Sequence, residues 1–239
     1  MCCSTCRLHR CLPAKLVLSN LLEKKNDRSY LFFMKRHETK QKLLKAGIDQ
    51  VSALGLSGVT IGRLAEVSGL SKSGLFAHFR SKEQLQIDLL DETVRAAERV
   101  VLKPAMQAPA GLPRLLALAG LWFGWSRRAG LSGGCPVAAA LFELDDIESD
   151  VRDHALQLEA EWRAVLGRLV REAVAAGHLS ADTDVEQFIW ELCGIYLSHH
   201  ASSRFIRDKS ADARAAHAVD ALVRRYRAAP APDETQPET

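Results

Sequence analysis

The stretch 60–82, TIGRLAEVSGLSKSGLFAHFRSK, restricts the fold of this chain most, because it predicts two short helices joined by a sharp turn. Thr60 is suited to cap the first helix, since its hydroxyl can accept a hydrogen bond from a free backbone N–H group. Gly69 can take the positive φ that a tight corner between two helices requires. Ser71 is placed to cap the second helix. The pattern predicts a helix-turn-helix and therefore helical surroundings for it.

The second helix of this pair carries residues suited to a nucleic acid partner. Leu75 and Phe79 fall on the face that packs into the domain, and small or polar side chains start the outer face. Such a helix fits the major groove of DNA. Ser81 and Gln84 predict a capping box that opens a third helix, where the Lys82 ammonium is placed to contact phosphate. The predicted DNA-binding residues are Thr60, Ser71, Lys72, Ser73, Gly74, Phe76, His78 and Lys82.

Residues 39–85 resemble the N-terminal DNA-binding domain of the TetR family of bacterial transcription regulators. The resemblance rests on an amphipathic first helix and on Gly55, Thr60, Leu64, Ala65, Gly69, His78, Phe79, Ser81 and Lys82. It implies an all-α homodimer with an N-terminal three-helix helix-turn-helix domain and a larger helical-bundle domain for ligand binding and dimerisation. Such a protein is usually a repressor that leaves its palindromic operator when a small ligand enters the larger domain.

Phe76 departs from the family pattern, which commonly has a tyrosine at this place in the recognition helix. A tyrosine hydroxyl would contact phosphate, and a phenylalanine cannot. We expect Lys72, His78, Lys82 or backbone N–H groups to replace that contact, and Phe76 to touch a thymine methyl group or a sugar. Residues 39–90 carry seven Lys or Arg against four Asp or Glu, a small excess that suits a phosphate partner.

The first 33 residues lie outside the resemblance, and we predict that they are a disordered or mis-annotated extension. Met34 opens a short basic lead-in and is the expected start of the DNA-binding domain, 34–84. The four cysteines of the extension lack the paired spacing of a zinc site. Its apolar run 16–22 is too short for a secretory signal, and no apolar run reaches the ~20 residues of a membrane span. These features predict a cytoplasmic protein with no membrane partner.

A larger helical domain, 85–228, is predicted downstream, followed by a polar, Pro-rich tail, 229–239, that we expect to be disordered. Two long amphipathic helices, from Val151 to Val174 and from a cap at Thr183, are predicted to pair with their copies in a second subunit as a four-helix bundle. The other predicted helices are 81–102, ended by Pro104; one through Trp122 and Trp125; 137–146, with Pro136 in its first turn; and 210–228.

A largely apolar pocket between these helices is the predicted ligand site. Its candidate residues are Trp122, Trp125, Cys135, Phe142, Trp162 and Phe188, with simple core packing as the alternative for each. Cys135 follows two glycines and precedes a helix, a position typical of a lowered thiol pKa. The sequence therefore leaves open a redox or electrophile sensor at Cys135 and an inert buried cysteine, and Cys193 is expected to be inert.

The sequence offers no catalytic constellation, since it has no phosphate loop, nucleophile elbow or convincing carboxylate pair. His199 and His200 point about 100° apart on a helix and do not chelate one ion well, so we predict no metal and no cofactor. Three classes stay open: a ligand-responsive DNA-binding repressor, a ligand-binding protein with a vestigial DNA domain, and a helical enzyme. The recognition helix favours the first, released by a small apolar or aromatic effector. A thiol-reactive sensor with activator or co-repressor behaviour is its alternative.

Overall fold

The computed structural model describes residues 28–228, and the predictions for residues 1–27 and for the tail lie outside this part of the chain. The described residues confirm the all-α prediction, since only an isolated bridge between Leu179 and Arg227 has strand pairing. The helices are α1 (Arg28–Leu54), α2 (Ile61–Ser68), α3 (Lys72–Phe76), α4 (Lys82–Ala97), α5 (Lys103–Ala105), α6 (Leu112–Trp122), α7 (Trp125–Arg128), α8 (Pro136–Glu143), α9 (Asp150–Ala175), α10 (Val185–Ala201) and α11 (Ala211–Tyr226).

The chain has two compact units, which divide within α1 between Leu43 and Leu44. In the first unit the structure describes only the N-terminal part of α1, where the Thr39 hydroxyl donates to the Lys35 carbonyl oxygen at 2.9 Å. This helix begins at Arg28 and passes Met34 without a break. The expected boundary between residues 33 and 34 therefore falls inside a helix.

The second unit contains the helix-turn-helix, and the predicted N-cap residues stand at the starts of α2, α3 and α4. The side-chain oxygens of Thr60, Ser71 and Ser81 accept hydrogen bonds from backbone N–H groups three residues on, at 3.1–3.2 Å. Gly69 ends α2 with a φ of 68°, the left-handed conformation predicted for the corner. The capping box at Ser81 forms only its first half, because the Gln84 side-chain amide donates to Asp88.

The helix after the helix-turn-helix is longer than its sequence predicts. α4 runs into a π-helical turn, Glu98–Leu102, and then into α5, which contains Pro104. The prediction that Pro104 ends the helix was wrong. Pro104 follows the π-helical turn directly, and the helical backbone continues through it to Ala105.

The core of the second unit is organised around α9, which packs against α4, α6, α8 and α10. Its residues Val151, Ala155, Leu166, Leu169 and Val170 are buried within the chain. These residues of α9 pack inside one subunit. The predicted pairing of this helix with a second subunit stays a prediction.

Three helix ends differ from their predictions. Asp184, and not Thr183, caps α10 by accepting a hydrogen bond from the Gln187 N–H at 3.0 Å. The Thr183 hydroxyl instead donates to the Ser180 carbonyl oxygen. α8 ends three residues early, at Glu143, and α11 covers Ala211–Tyr226. None of the described helices is long and apolar enough to cross a membrane.

Candidate nucleic-acid interface and ligand cavity

The predicted DNA-binding residues lie on one short segment and its two flanks. Lys72, Ser73 and Phe76 are exposed on α3, and 57% of the Phe76 surface is open to solvent. Thr60 and Lys82, at the starts of α2 and α4, are also exposed. The remaining predicted residues are Ser71, which is exposed, and Gly74 and His78, which are half-buried.

The core beneath this segment fixes the orientation of α3. Leu64 of α2, Leu75 of α3 and Phe79 after α3 are fully buried, as the sequence predicts. Because the buried side of α3 is fixed in this way, the exposed side chains are held on the opposite side. The Lys72 side chain lies over α2, since a methyl group added at Gly62 would be 3.4 Å from Lys72 Cε.

Two sets of hydrogen bonds join α1, and the corner between α1 and α2, to the helical domain. In the first, Asp49 Oδ1 accepts from the Ser132 N–H at 2.6 Å and from its hydroxyl at 2.8 Å. Ser52 accepts from the Gly133 N–H through Oγ and from the Gly134 N–H through its carbonyl oxygen, both at 2.9 Å. Gly133 approaches so closely that a Cβ atom there would lie 1.7 Å from the Ser52 carbonyl oxygen.

The second set joins the C-terminal end of α8 to the corner between α1 and α2. The Glu143 carboxylate accepts hydrogen bonds from the N–H groups of Leu56, at 3.2 Å, and Ser57, at 3.1 Å. The Gln86 side-chain amide of α4 donates to the Leu56 carbonyl oxygen at 3.0 Å. A carboxylate on two N–H groups makes a strong attachment, because hydrogen bonds to an ionised group exceed neutral ones in strength.

A cavity of about 180 Å³ lies in the helical domain. Its walls come from α4 and the π-helical turn that follows, and from α6 to α10. Trp122, Trp125, Cys135 and Trp162, four of the six predicted pocket residues, line it. Sequence reasoning missed the lining residues Thr93, Glu98, Glu159, Glu161, Cys193 and Tyr196. Glu159 and Val165 lie three residues before and after Trp162, so they share its face of α9. This spacing could have predicted that they line the cavity with Trp162.

The structure places the other two predicted pocket residues elsewhere. Phe142 is 63% exposed, because its neighbour Leu141 occupies the side of α8 that faces the cavity. Phe188 is fully buried, but its ring packs edge-on against Tyr226 with the ring centroids 5.3 Å apart. Phe188 is therefore a core residue between α10 and α11.

The aromatic side chains of the cavity contact one another. The rings of Trp122 and Tyr196 stack with their centroids 4.0 Å apart, and Trp162 meets Trp122 edge-on at 5.0 Å. The Trp125 indole N–H donates to the Tyr196 hydroxyl at 3.1 Å. These contacts fix the wall that a bound molecule would meet, because each ring is held by a second one.

Cys135 lines the cavity but lacks the reactivity that its position predicts. The thiol is buried and caps α8, accepting from the Ala138 N–H at 3.5 Å. Burial raises its pKa above the ordinary value, since the loss of hydration outweighs the hydrogen bonds to the sulfur. Of the two alternatives that the sequence leaves open for Cys135, the raised pKa favours the inert buried cysteine. Burial likewise raises the pKa of Cys193 to about 11.

Several histidine and carboxylate side chains of the described residues are engaged with other groups. His154 lies 2.7 Å from Asp91, and His199 lies 2.7 Å from Asp212. Glu143 holds the backbone N–H groups already described. Within residues 28–228, no three His, Cys, Asp or Glu side chains are grouped to hold a metal ion.

Comparison with known proteins agrees with these features. Residues 43–89 match the family described as bacterial regulatory proteins, tetR family, and residues 111–219 match the tetracyclin repressor-like C-terminal domain. The transcriptional regulator AcuR of Cereibacter sphaeroides is 26% identical over 145 residues. That alignment covers 60% of this chain and 66% of AcuR, just under two thirds of the relative's length.

Solved structures share the fold. A TetR-family transcriptional regulator from Cytophaga hutchinsonii superposes with a TM-score of 0.74 and 18% identity, over 82% of this chain and 98% of that chain. AibR in complex with isovaleryl coenzyme A and operator DNA superposes with a TM-score of 0.61 and 18% identity, over 79% of this chain and 97% of that chain.

A helix-turn-helix attached to a helical domain with an internal cavity defines the class of DNA-binding transcription regulators. Together with the two family matches, this fold gives a more specific assignment. The chain belongs to the TetR family of bacterial transcriptional regulators, which are non-enzymatic transcription factors.

Proposed function

We propose that this protein is a homodimeric repressor that binds a palindromic operator in the cytoplasm and leaves it when a small, largely apolar effector occupies the cavity. The observation that carries the proposal is the position of α8. Cys135, Ala138 and Leu141, at its start and along its length, line the cavity. Glu143, at its other end, holds the Leu56 and Ser57 N–H groups at the helix-turn-helix.

One short helix thus contacts both the cavity and the DNA-binding region. An effector that displaces α8 by a fraction of an ångström changes the geometry of the Glu143 hydrogen bonds, because packed helices move as rigid bodies. The link through Gly133 and Ser52, just before α8, moves with it. AibR, whose structure contains both isovaleryl coenzyme A and operator DNA, supports the combination of ligand and operator in one protein of this fold.

The proposed DNA contacts divide into two kinds. Lys72, Ser73 and Phe76, exposed on α3, are placed for base and sugar contacts, and Lys82 at the start of α4 for a phosphate. Thr60 already accepts an N–H hydrogen bond as a cap, so its hydroxyl remains available as a donor to a phosphate oxygen. The Ser71 hydroxyl also caps a helix and shares a hydrogen bond of 3.0 Å with the Ser73 hydroxyl.

The proposed dimer uses α10 and the π-helical turn Ser202–Ile206 that follows it. Trp190 on α10 is 66% exposed, and Phe205 in the π-helical turn is 90% exposed. Large apolar side chains on one exposed surface are typical of an interface between subunits. A two-fold axis there would present two copies of α3 to the two halves of an operator.

The test is a fluorescence-anisotropy titration of the full chain against DNA from the region upstream of its own gene, with unrelated DNA as competitor. We expect specific binding. Lys82→Ala should weaken binding to all sequences alike and reduce the salt slope by about 1, because one phosphate contact is lost. Lys209→Ala, which removes an exposed lysine after α10, is the matched control. Sequence-blind binding by the unaltered chain, or an unchanged salt slope in Lys82→Ala, would contradict the proposal.

A further inference from the structure

The charged side chains that line the cavity are all acidic. Glu98 from the π-helical turn and Glu159 and Glu161 from α9 take part in the wall. Among the described residues that line it, none is Lys, Arg or His. Glu159 is paired with Arg163, whose Nε donates to Glu159 Oε1 at 2.9 Å. A molecule entering the cavity therefore meets an excess of negative charge.

The three carboxylates differ in how far they are available to a ligand. Glu98 is exposed and makes no side-chain hydrogen bond or ion pair with a described residue. Glu161 is exposed and accepts one hydrogen bond, from the Gln157 side-chain amide at 2.9 Å. Glu159 lies deeper, with a side chain 21% exposed and paired with Arg163. Glu98 and Glu161 thus stand where the cavity meets solvent, and Glu159 stands further inside.

The walls between these carboxylates are aromatic. The stacked pair Trp122 and Tyr196 and the edge-on Trp162 line the cavity. Aromatic rings attract a cation placed over their faces, and the attraction grows where water is excluded.

An anionic ligand is disfavoured by the same features. A carboxylate or phosphate placed in this cavity would lose hydration beside Glu159 and Glu98 and gain no lysine or arginine of the wall in return. The size of the cavity sets a second limit. A cavity of about 150 Å³ binds benzene, so one of about 180 Å³ admits a single ring with a small substituent.

We infer that the cavity selects a lipophilic monocation: an amine or quaternary ammonium group on an apolar or aromatic body of about one ring. This inference rests on the proposed function, since it names the chemical class of the effector. The cationic group lies near Glu98 and Glu159, and the apolar body packs on Trp122 and Tyr196.

The test uses the full chain and three probes with similar bodies and different charges. These are benzyltrimethylammonium as the cation, neopentylbenzene as its neutral isostere, and phenylacetate as the anion. Binding is measured by the fluorescence of the cavity tryptophans and by calorimetry. We expect the cation to bind at least about fivefold more tightly than the neutral probe, and the anion more weakly than either, because the wall is acidic.

Two glutamate variants test which carboxylates of the wall attract the cationic group of the ligand. Glu98→Gln should weaken cation binding about fivefold and leave the neutral probe unchanged, since the amide keeps the shape and removes the charge. Glu159→Gln should act in the same direction, but it also releases Arg163. Glu98→Gln is therefore the decisive variant, because the exposed Glu98 has no partner whose loss would affect folding. Glu148→Gln, an exposed glutamate outside the wall, is the control and should change nothing.

The inference is overturned if the cation does not bind, if the neutral or anionic probe binds as tightly, or if Glu98→Gln leaves cation affinity unchanged. The proposed function is tested separately, by measuring operator occupancy in the anisotropy assay. If the cation binds selectively but the operator stays occupied, the proposed release from DNA is contradicted and the cation site is supported. Release by the anion in preference to the cation would support ligand-controlled repression and overturn the cationic effector.

Discussion

At the scale of single residues, the local sequence predicts the helix caps but not the environment of the Cys135 thiol. The caps at Thr60, Ser71 and Ser81 follow their predictions, because each is a hydrogen bond between groups three residues apart. Cys135 also caps a helix, but its pKa is raised and not lowered. The difference arises because burial, which depends on tertiary packing, raises the pKa of Cys135 by more than the hydrogen bonds of Tyr196 and Trp125 lower it.

The raised thiol pKa values predict slow alkylation of Cys135 and Cys193 in the folded protein. The thiolate is the reactive form, so a pKa of about 11 for Cys193 leaves it almost entirely protonated at pH 7. Its alkylation should quicken as the pH rises towards that value. Iodoacetamide labelling, followed by peptide mass spectrometry, measures each site, with urea-unfolded protein as the control. Equal labelling rates in folded and unfolded protein would show that these thiols are accessible and reactive.

Phe76 gives the second prediction at this scale, because it replaces the tyrosine that the family commonly has. Phe76→Tyr adds a hydroxyl to a side chain that is already 57% exposed, so the fold should be unaffected. We expect operator affinity to rise by about tenfold or more, as a hydrogen bond to a charged phosphate contributes about 1.5–3 kcal/mol. Anisotropy titration measures the change, and Phe76→Leu is the matched variant without a ring. Weaker binding by Phe76→Tyr would mean that Phe76 makes an apolar contact that a hydroxyl disrupts.

At the scale of elements, α8 is short but has contacts at both ends. Its sequence predicts the start at Pro136 well, since proline is best tolerated in a first turn. Its end was predicted three residues too late, because Glu143 and Leu144 continue the apolar and acidic pattern of the helix. What the sequence pattern does not contain is the role of Glu143, whose partners are more than eighty residues away along the chain.

We predict that Glu143→Ala loosens the corner between α1 and α2 without unfolding the protein. The Leu56 and Ser57 N–H groups lose their acceptor, and hydrogen bonds to a charged group contribute about 1.5–3 kcal/mol. Amide exchange of the segment 55–59 should therefore quicken by about tenfold or more, as measured by mass spectrometry. Glu148→Ala, five residues on and exposed, is the control. Unchanged exchange in Glu143→Ala would show that this carboxylate does not hold the corner.

At the scale of the whole molecule, burial decides which apolar helix faces are available to a second subunit. Val151, Leu166 and Leu169 of α9 are covered within one chain, whereas Trp190 and Phe205 are open. The amphipathic period of α9 and that of α10 are alike in the sequence. Only the packed structure shows which apolar residues of each helix are buried and which stay open.

We predict that Phe205→Asp shifts the protein from dimer to monomer. A charge placed in an apolar interface loses hydration without a partner, which costs more than the contact contributes. Sedimentation equilibrium over a range of concentrations measures the change. Ile147→Asp, at an exposed apolar residue after α8, is the control and should leave the assembly unchanged. A dimer that persists in Phe205→Asp would place the interface on another surface.

The sequence by itself determined the helix-turn-helix and the all-α class, because these depend on hydrogen bonds and apolar spacings within a few residues. The resemblance of residues 39–85 indicated the family. The sequence also supplied three aromatic residues of the cavity, since the chain has only four tryptophans and three of them line it.

The tertiary structure alone decided that Phe142 faces solvent and Phe188 faces Tyr226, that burial raises the pKa of Cys135, and that Glu143 holds the helix-turn-helix. It also brought Glu98 and Glu159, sixty-one positions apart, to the wall of one cavity. Burial, charge environment and long-range hydrogen bonds depend on which distant segments pack together, and the local pattern of residues does not contain that information.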